Sequence, residues 1–147
     1  MFQDMEGQFT YSETTHSIEV SVTPRFIPEQ SNPEANYFFY AYNIVIKNHS
    51  LKTVQLISRH WVVRDGNGLE EHITGEGVVG ERPVIYPDGS FEYTSACPLR
   101  TRTGNMRGTY LLIDESEQEI IIVIPLFFLR PPLPLYHVDR TELGLSL

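Results

Sequence analysis

Residues 75–89 read Gly-Glu-Gly-Val-Val-Gly-Glu-Arg-Pro-Val-Ile-Tyr-Pro-Asp-Gly. Gly75, Gly77 and Gly80 match G-x-G-x-x-G, the spacing of a dinucleotide-binding turn. That turn works only between a strand and a helix, where phosphate meets the helix N-terminus. Here Pro83, Pro87 and the Pro87-Asp88-Gly89 turn leave no room for a helix, so a doubly wound nucleotide fold is excluded. The glycines read instead as turn and crossing positions between strands, where positive φ or close backbone approach excludes a side chain. The binding role left open to them is a backbone nest, whose successive N–H groups hold an anion such as pyrophosphate or a nucleotide. Arg59 and Arg82 are the side chains placed to add donors to it.

Outward from this stretch the periodicity is that of strands. Ile18, Val20 and Val22 alternate with Glu19, Ser21 and Thr23. Pro24, Pro28 and Pro33 then punctuate a loop. Residues 37–48 form an aromatic strand with Phe38, Tyr40, Tyr42, Ile44 and Ile46 on one face. Tyr37, Phe39, Ala41 and Val45 lie on the other. Residues 54–64 change phase near Ser58, which predicts a bulge or burial of both faces. Asp65-Gly66-Asn67-Gly68 is a turn, and a short strand around Glu71–Thr74 precedes the glycines. Phe91 and Tyr93 mark another strand, and Gly104-Asn105 reads as a turn. Residues 106–113 and 119–129 form a last hairpin across the acidic 114–118. Ile120-Ile121-Ile122-Val123-Ile124 is apolar on both faces, as a central strand would be, and Pro125 bends, bulges or edges it. The expected fold is all-β: an antiparallel sandwich of about seven strands, of immunoglobulin or fibronectin type III kind. Trp61 takes the buried aromatic position on the third strand. Residues 1–16 are expected to be a flexible extension, 17–132 the sandwich, and 133–147 a tail that Pro131-Pro132-Leu133-Pro134 introduces.

Bulk properties narrow the function classes. A chain of 147 residues makes one domain and can bury roughly 70% of its unfolded surface. Net charge of −8 argues against a general nucleic-acid binder, which needs clustered Lys and Arg, and against an anionic membrane. Cys97 is the single cysteine, so no disulfide can form within the chain, which suits a reducing cytoplasm. No signal-peptide core is visible, and no apolar run reaches the ~20 residues of a spanning helix.

Several segments together resemble the ApaG family. They are Phe39-Tyr40-Ala41-Tyr42, Val54-Gln55-Leu56, Ser58-Arg59-His60-Trp61, the glycine stretch from Gly75 to Pro83, Phe91-Glu92-Tyr93-Thr94-Ser95, Gly104-Asn105-Met106-Arg107-Gly108 and Ile124-Pro125-Leu126-Phe127. They occur in order, at consistent spacing, from about Ile18 to Pro132. The resemblance implies a fibronectin type III-like sandwich with no established enzymatic activity. It also implies a protein-interaction role, as in the F-box and DNA-polymerase-interacting proteins that carry the domain. For bacterial members it implies a tie to cobalt resistance and to cobalt or magnesium efflux, and a gene often beside a diadenosine-tetraphosphate hydrolase. Pyrophosphate or nucleotide binding has been proposed for the family's glycine motif. Residues 1–16 and 135–147 depart from the compact bacterial pattern.

The leading expectation is therefore a non-enzymatic, protein-binding domain, with homodimerisation open. The second is a sensor of pyrophosphate or nucleotide at Gly75, Gly77, Gly80, Arg59 and Arg82. Tyr37 and Phe39, with Arg100, Arg102 and Arg107, are candidate partner contacts; the bland readings are a doubly buried strand and a solvated basic loop. His60 beside Trp61 reads as a packed residue. The chain has no H-x-H, H-E-x-x-H or C-x-x-C pattern, so no metal ligand and no cofactor are expected. No nucleophile elbow surrounds Ser58 or Ser95. No carboxylate cluster suits a hydrolase of diadenosine polyphosphates, and Cys97 reads as a structural thiol.

Overall fold

The computed structural model describes residues 8–132. Nine strands follow in chain order: β1 (Tyr11–Thr15), β2 (Ile18–Phe26), β3 (Phe38–Asn48), β4 (Val54–Asp65), β5 (Glu70–Glu76), β6 (Val84–Ile85), β7 (Ser90–Leu99), β8 (Gly104–Asp114) and β9 (Glu119–Leu129). Helical structure among the described residues is limited to two short 3-10 turns, Pro28–Gln30 and Pro33–Ala35, each begun by a proline. The strands form two antiparallel sheets. One has the order β1-β2-β3-β7; the other has the order β5-β4-β8-β9, with β6 beside β4. This is the expected sandwich, with nine strands rather than seven.

Alternation builds the core. Ile18, Val20 and Val22 of β2 and Tyr40, Tyr42, Ile44 and Ile46 of β3 point inward and are buried, because successive side chains on a strand take opposite faces. They meet Leu56, Trp61, Tyr110, Leu112, Ile122, Ile124 and Phe127 of the second sheet. The phase change in β4 is a bulge: the β4–β8 register shifts between Leu56 and Ser58. After it, Arg59, Trp61 and Val63 face in, where Val54 and Leu56 did before. A second bulge follows Ile124, where Arg107 alone stands opposite Pro125 and Leu126. Pro125 has no N–H to donate, so the extra residue falls where the ladder loses least. Asn48 is the buried polar residue at the end of β3. Its amide nitrogen donates to the carbonyls of Lys52 (2.8 Å) and Ile85 (3.0 Å), and its oxygen accepts from the Ser50 N–H (2.9 Å). The β3–β4 turn is thereby tied to β6.

Four expectations are corrected. Residues 11–15 belong to the sheet as β1, paired with β2 from Tyr11–Val22 to Thr15–Ile18; the turn at His16 and Ser17 uses positive φ at both residues. Gly104 and Asn105 lie in β8, paired with Asp65 and Arg64, and the turn falls at 100–103. Gly75 lies inside β5, opposite Arg59. The apolar run 120–124 is the outer strand β9, not a central one. Its free side lies beside β1, and the Val123 N–H donates to Thr15 Oγ1 at 3.1 Å. The expected tail, 133–147, lies outside the described residues.

Candidate functional site

β5 ends one sheet and β7 ends the other, and the sandwich is open between them. The opening is a cleft of about 790 Å³. Tyr42, Trp61 and Met106, all buried, form its floor. Cys97, Pro98 and Arg100 line the β7 side; Asp65, Glu70 and Glu71 line the β5 side. A smaller hollow of about 270 Å³ shares Tyr42, Arg59, Trp61 and Ser95, and runs beneath Val78, Val79 and Gly80.

The glycine loop covers this smaller hollow, and its donors are largely engaged within the chain. The Gly77 N–H donates to the Ile57 carbonyl (2.8 Å), the Val78 N–H to Glu81 (2.8 Å), and the Glu81 N–H to Val78 (2.9 Å). A nest for an anion would then rest on Val79 and Gly80. Arg59 faces the loop from β4, and its Nη1 donates to the carbonyls of Glu76 (3.1 Å) and Gly77 (2.7 Å). A side chain at Gly75 would run into that guanidinium, at 2.6 Å from Nη2. Arg82 forms an ion pair with Glu76. Gly75, Gly77, Gly80, Arg59 and Arg82 thus lie in one region, and the contacts of Gly77, Arg59 and Arg82 tie the loop to β4 and to the end of β5.

Two of the glycines differ in what they tolerate. Gly77 has φ +62, and a Cβ there would lie 2.2 Å from the Glu81 carbonyl oxygen. Gly80 has φ +79 with open space around it. Gly77→Ala is expected to cost about 2–3 kcal/mol, from the left-handed conformation plus the clash, and Gly80→Ala about 1 kcal/mol, from conformation alone. Urea unfolding midpoints of the two variants check this; equal losses would show that the Glu81 contact carries no cost.

Behind the cleft floor lies a group of buried phenols. The Tyr93 and Tyr110 hydroxyls are 2.5 Å apart, and Tyr42 packs edge-on against Trp61 at 5.4 Å. Burial raises the pKa of all three phenols, and the positive charge of Arg59 offsets part of that rise. Tyr40, whose hydroxyl donates to the Arg102 carbonyl, is pushed by burial to about 12. A raised phenol favours the folded state below the unfolded pKa of ~10, and that advantage is lost as pH rises through the folded values. Stability is therefore expected to fall steadily above about pH 10. The check is parallel titration of urea midpoint and tyrosinate absorbance; phenols that ionise fully while the chain stays folded would contradict it. Cys97 is buried, and burial, with Glu71 next, lifts its thiol to about 11. That keeps it protonated at neutral pH and a poor nucleophile.

The candidate partner contacts divide. Tyr37 and Phe39 lie on the outside of the first sheet with ring centroids 6.4 Å apart, and Phe39 stands opposite Pro98. Arg100 is at the same end, on the cleft rim. Arg102 lies in the adjoining turn. Arg107 is on the outer face of β8 and pairs with Glu70 at 3.3 Å. The acidic turn after β8 caps itself: Asp114 Oδ1 accepts from the N–H groups of Ser116 (2.8 Å) and Gln118 (3.0 Å).

The ApaG domain model matches residues 28–114 of this chain. The ApaG protein of Methylocella silvestris is 48% identical over 122 residues, covering 83% of this chain and 94% of that protein. The chain belongs to the ApaG family. The ApaG protein of Paramagnetospirillum magneticum is 47% identical over the same shares of the two chains. Among solved structures, the crystal structure of the putative ApaA protein from Bordetella pertussis superposes with a TM-score of 0.78 at 42% identity, covering 81% of this chain and 97% of that one. The matched ApaG region spans β3 to β8, and so carries the cleft floor, the glycine loop and both cleft walls. Among the described residues, no helix is long and apolar enough to cross a membrane.

Proposed function

We propose that this ApaG domain is a non-enzymatic interaction module that binds an extended, basic and apolar segment of a partner protein in the cleft between β5 and β7. The observation that supports it most is the pair of sheet-ending strands flanking an apolar floor. Among the described residues each has a neighbouring strand on one side only, which leaves backbone groups available to an added strand. Tyr42, Trp61 and Met106 supply apolar contact, and alternate side chains of an extended segment would reach them. Glu71 on β5 and Asp65 at the end of β4, both lining the cleft, in a chain of net charge −8, favour Lys or Arg at the intervening positions.

The test is an amide-shift titration with short peptides alternating Val or Leu with Lys, set against the same peptides with Glu for Lys. Saturable shifts at 95–100 and 71–73, weakened by Glu71→Lys, are expected. Shifts that grow with protein concentration alone would replace the partner with a second copy of the chain. Saturable shifts at Gly77–Gly80 with pyrophosphate, and none with peptide, would favour the anion sensor.

A further inference from the structure

His60 on β4 and His72 on β5 are 12 residues apart in sequence, and the strand register brings them together. His60 stands opposite Thr74 and His72 opposite Val62, so the two imidazoles are diagonal neighbours. Both face away from the core, since Trp61 and Ile73 take the inner face. Their rings stack with centroids 5.2 Å apart and planes 30° from parallel. His60 Nε2 lies 2.9 Å from His72 Nδ1.

We propose that this pair is a surface binding site for a divalent late first-row transition-metal ion of the Zn²⁺, Ni²⁺ and Cu²⁺ class, held by His60 Nε2 and His72 Nδ1. Two nitrogens bound to one such ion at about 2.0–2.1 Å in adjacent positions stand about 2.9–3.4 Å apart. The spacing of the pair lies at the near end of that range. The hydrogen bond between the rings requires one nitrogen of the two to offer a lone pair already. When both rings are neutral, the second lone pair needs only a tautomer change, with the protons on His60 Nδ1 and His72 Nε2. Small rotations about the side-chain bonds then turn both lone pairs to a common point.

The backbone is prepared for this. β4 is paired on both sides and β5 is laddered to it from Ser58–Glu76 to Arg64–Glu70, so the two Cβ positions are fixed before an ion arrives. Imidazole selects the borderline metals, whereas magnesium and calcium take oxygen. Among the described residues no third His, Cys, Asp or Glu completes a cluster. Glu70, two positions from His72 on the same face, is engaged by Arg107 at 3.3 Å. Water therefore fills the remaining positions, which makes this an open, exchangeable site rather than a structural one.

Calorimetric titration of the full chain with ZnCl₂ tests the proposal. One saturable site is expected, with its dissociation constant raised at least tenfold by His60→Ala and by His72→Ala, and no further in the double variant. His49→Ala, which touches the ring bonded to Glu19, should leave it unchanged. Paramagnetic broadening by Ni²⁺ in the unsubstituted chain should centre on residues 60–62 and 72–74, a readout independent of any variant's folding. Absence of saturable Zn²⁺ binding, affinity indifferent to both substitutions, or broadening centred on other histidines would overturn it.

Discussion

Trp61→Ala is expected to lower folding stability by about 3–4 kcal/mol, read from urea unfolding. Trp61 is 3% exposed and sits at the junction of three rings. Tyr42 lies 5.4 Å away, Phe127 5.9 Å away at 87°, and Tyr110 6.5 Å away at 82°. Truncation removes the edge-to-face contacts as well as the buried area. The cost stays below the top of the range for a lost Trp because the void opens into the cleft and water can enter it. Against the 5–15 kcal/mol of a typical domain this is a large share. Trp61→Phe keeps one ring and should lose about half as much. A loss under about 1 kcal/mol for the alanine variant would mean that the two sheets close over the gap, and that the cleft floor is adaptable.

Gly108→Ala is expected to cost about 3 kcal/mol, although the added group is a single methyl. β8 is an inner strand, and Gly108 stands opposite Trp61 on one side and Ile124 on the other. A Cβ at this position would lie 2.2 Å from the His60 carbonyl oxygen and 3.3 Å from Trp61 Cα. Those are backbone atoms of β4, so relief requires the β4–β8 ladder to part. Gly66 makes the comparison: a Cβ there meets nothing nearer than 3.2 Å, in the β4–β5 turn, and Gly66→Ala should stay within about 1 kcal/mol. Amide hydrogen exchange should show the loss concentrated on residues 58–62 and 106–110. Equal stability of the two variants would contradict the steric account.

The sandwich was legible because strand alternation and turn chemistry are local. The aromatic face of 38–46, the bulge beside Ser58 and the hairpin at 114–118 each follow from neighbours in sequence. Misreadings arose where tertiary pairing overrode local signals. Gly104-Asn105 carries turn residues, yet pairs with β4 because the preceding Thr-Arg-Thr supplies the turn. The doubly apolar 120–124 looked central, yet lies on an edge with another strand laid beside it. The candidate site was less legible for the same reason. The glycine spacing marks a loop whose Gly77, Val78 and Glu81 N–H groups are already bonded within the chain. The cleft floor needs Tyr42, Trp61 and Met106 from three strands, and no pattern in the chain marks them as neighbours. His60 and His72 meet only through a register that sequence does not print.

The contact between Thr15 and Val123 has a consequence for self-assembly. Ile120-Ile121-Ile122-Val123-Ile124 has the makings of a fibril seed: strong β-propensity, no charge and no proline until Pro125. On the outer strand of a sheet it is exposed to templated growth by other chains, unless something occupies its free side. The first hairpin does so, with a threonine hydroxyl taking a donor that another molecule would otherwise take. A chain shortened to begin after His16 keeps every strand of the second sheet but loses that cover. It should bind thioflavin and sediment at concentrations where the full chain stays dispersed, and Thr15→Val should move part of the way. The short N-terminal strand is thereby expected to limit edge-to-edge association at β9.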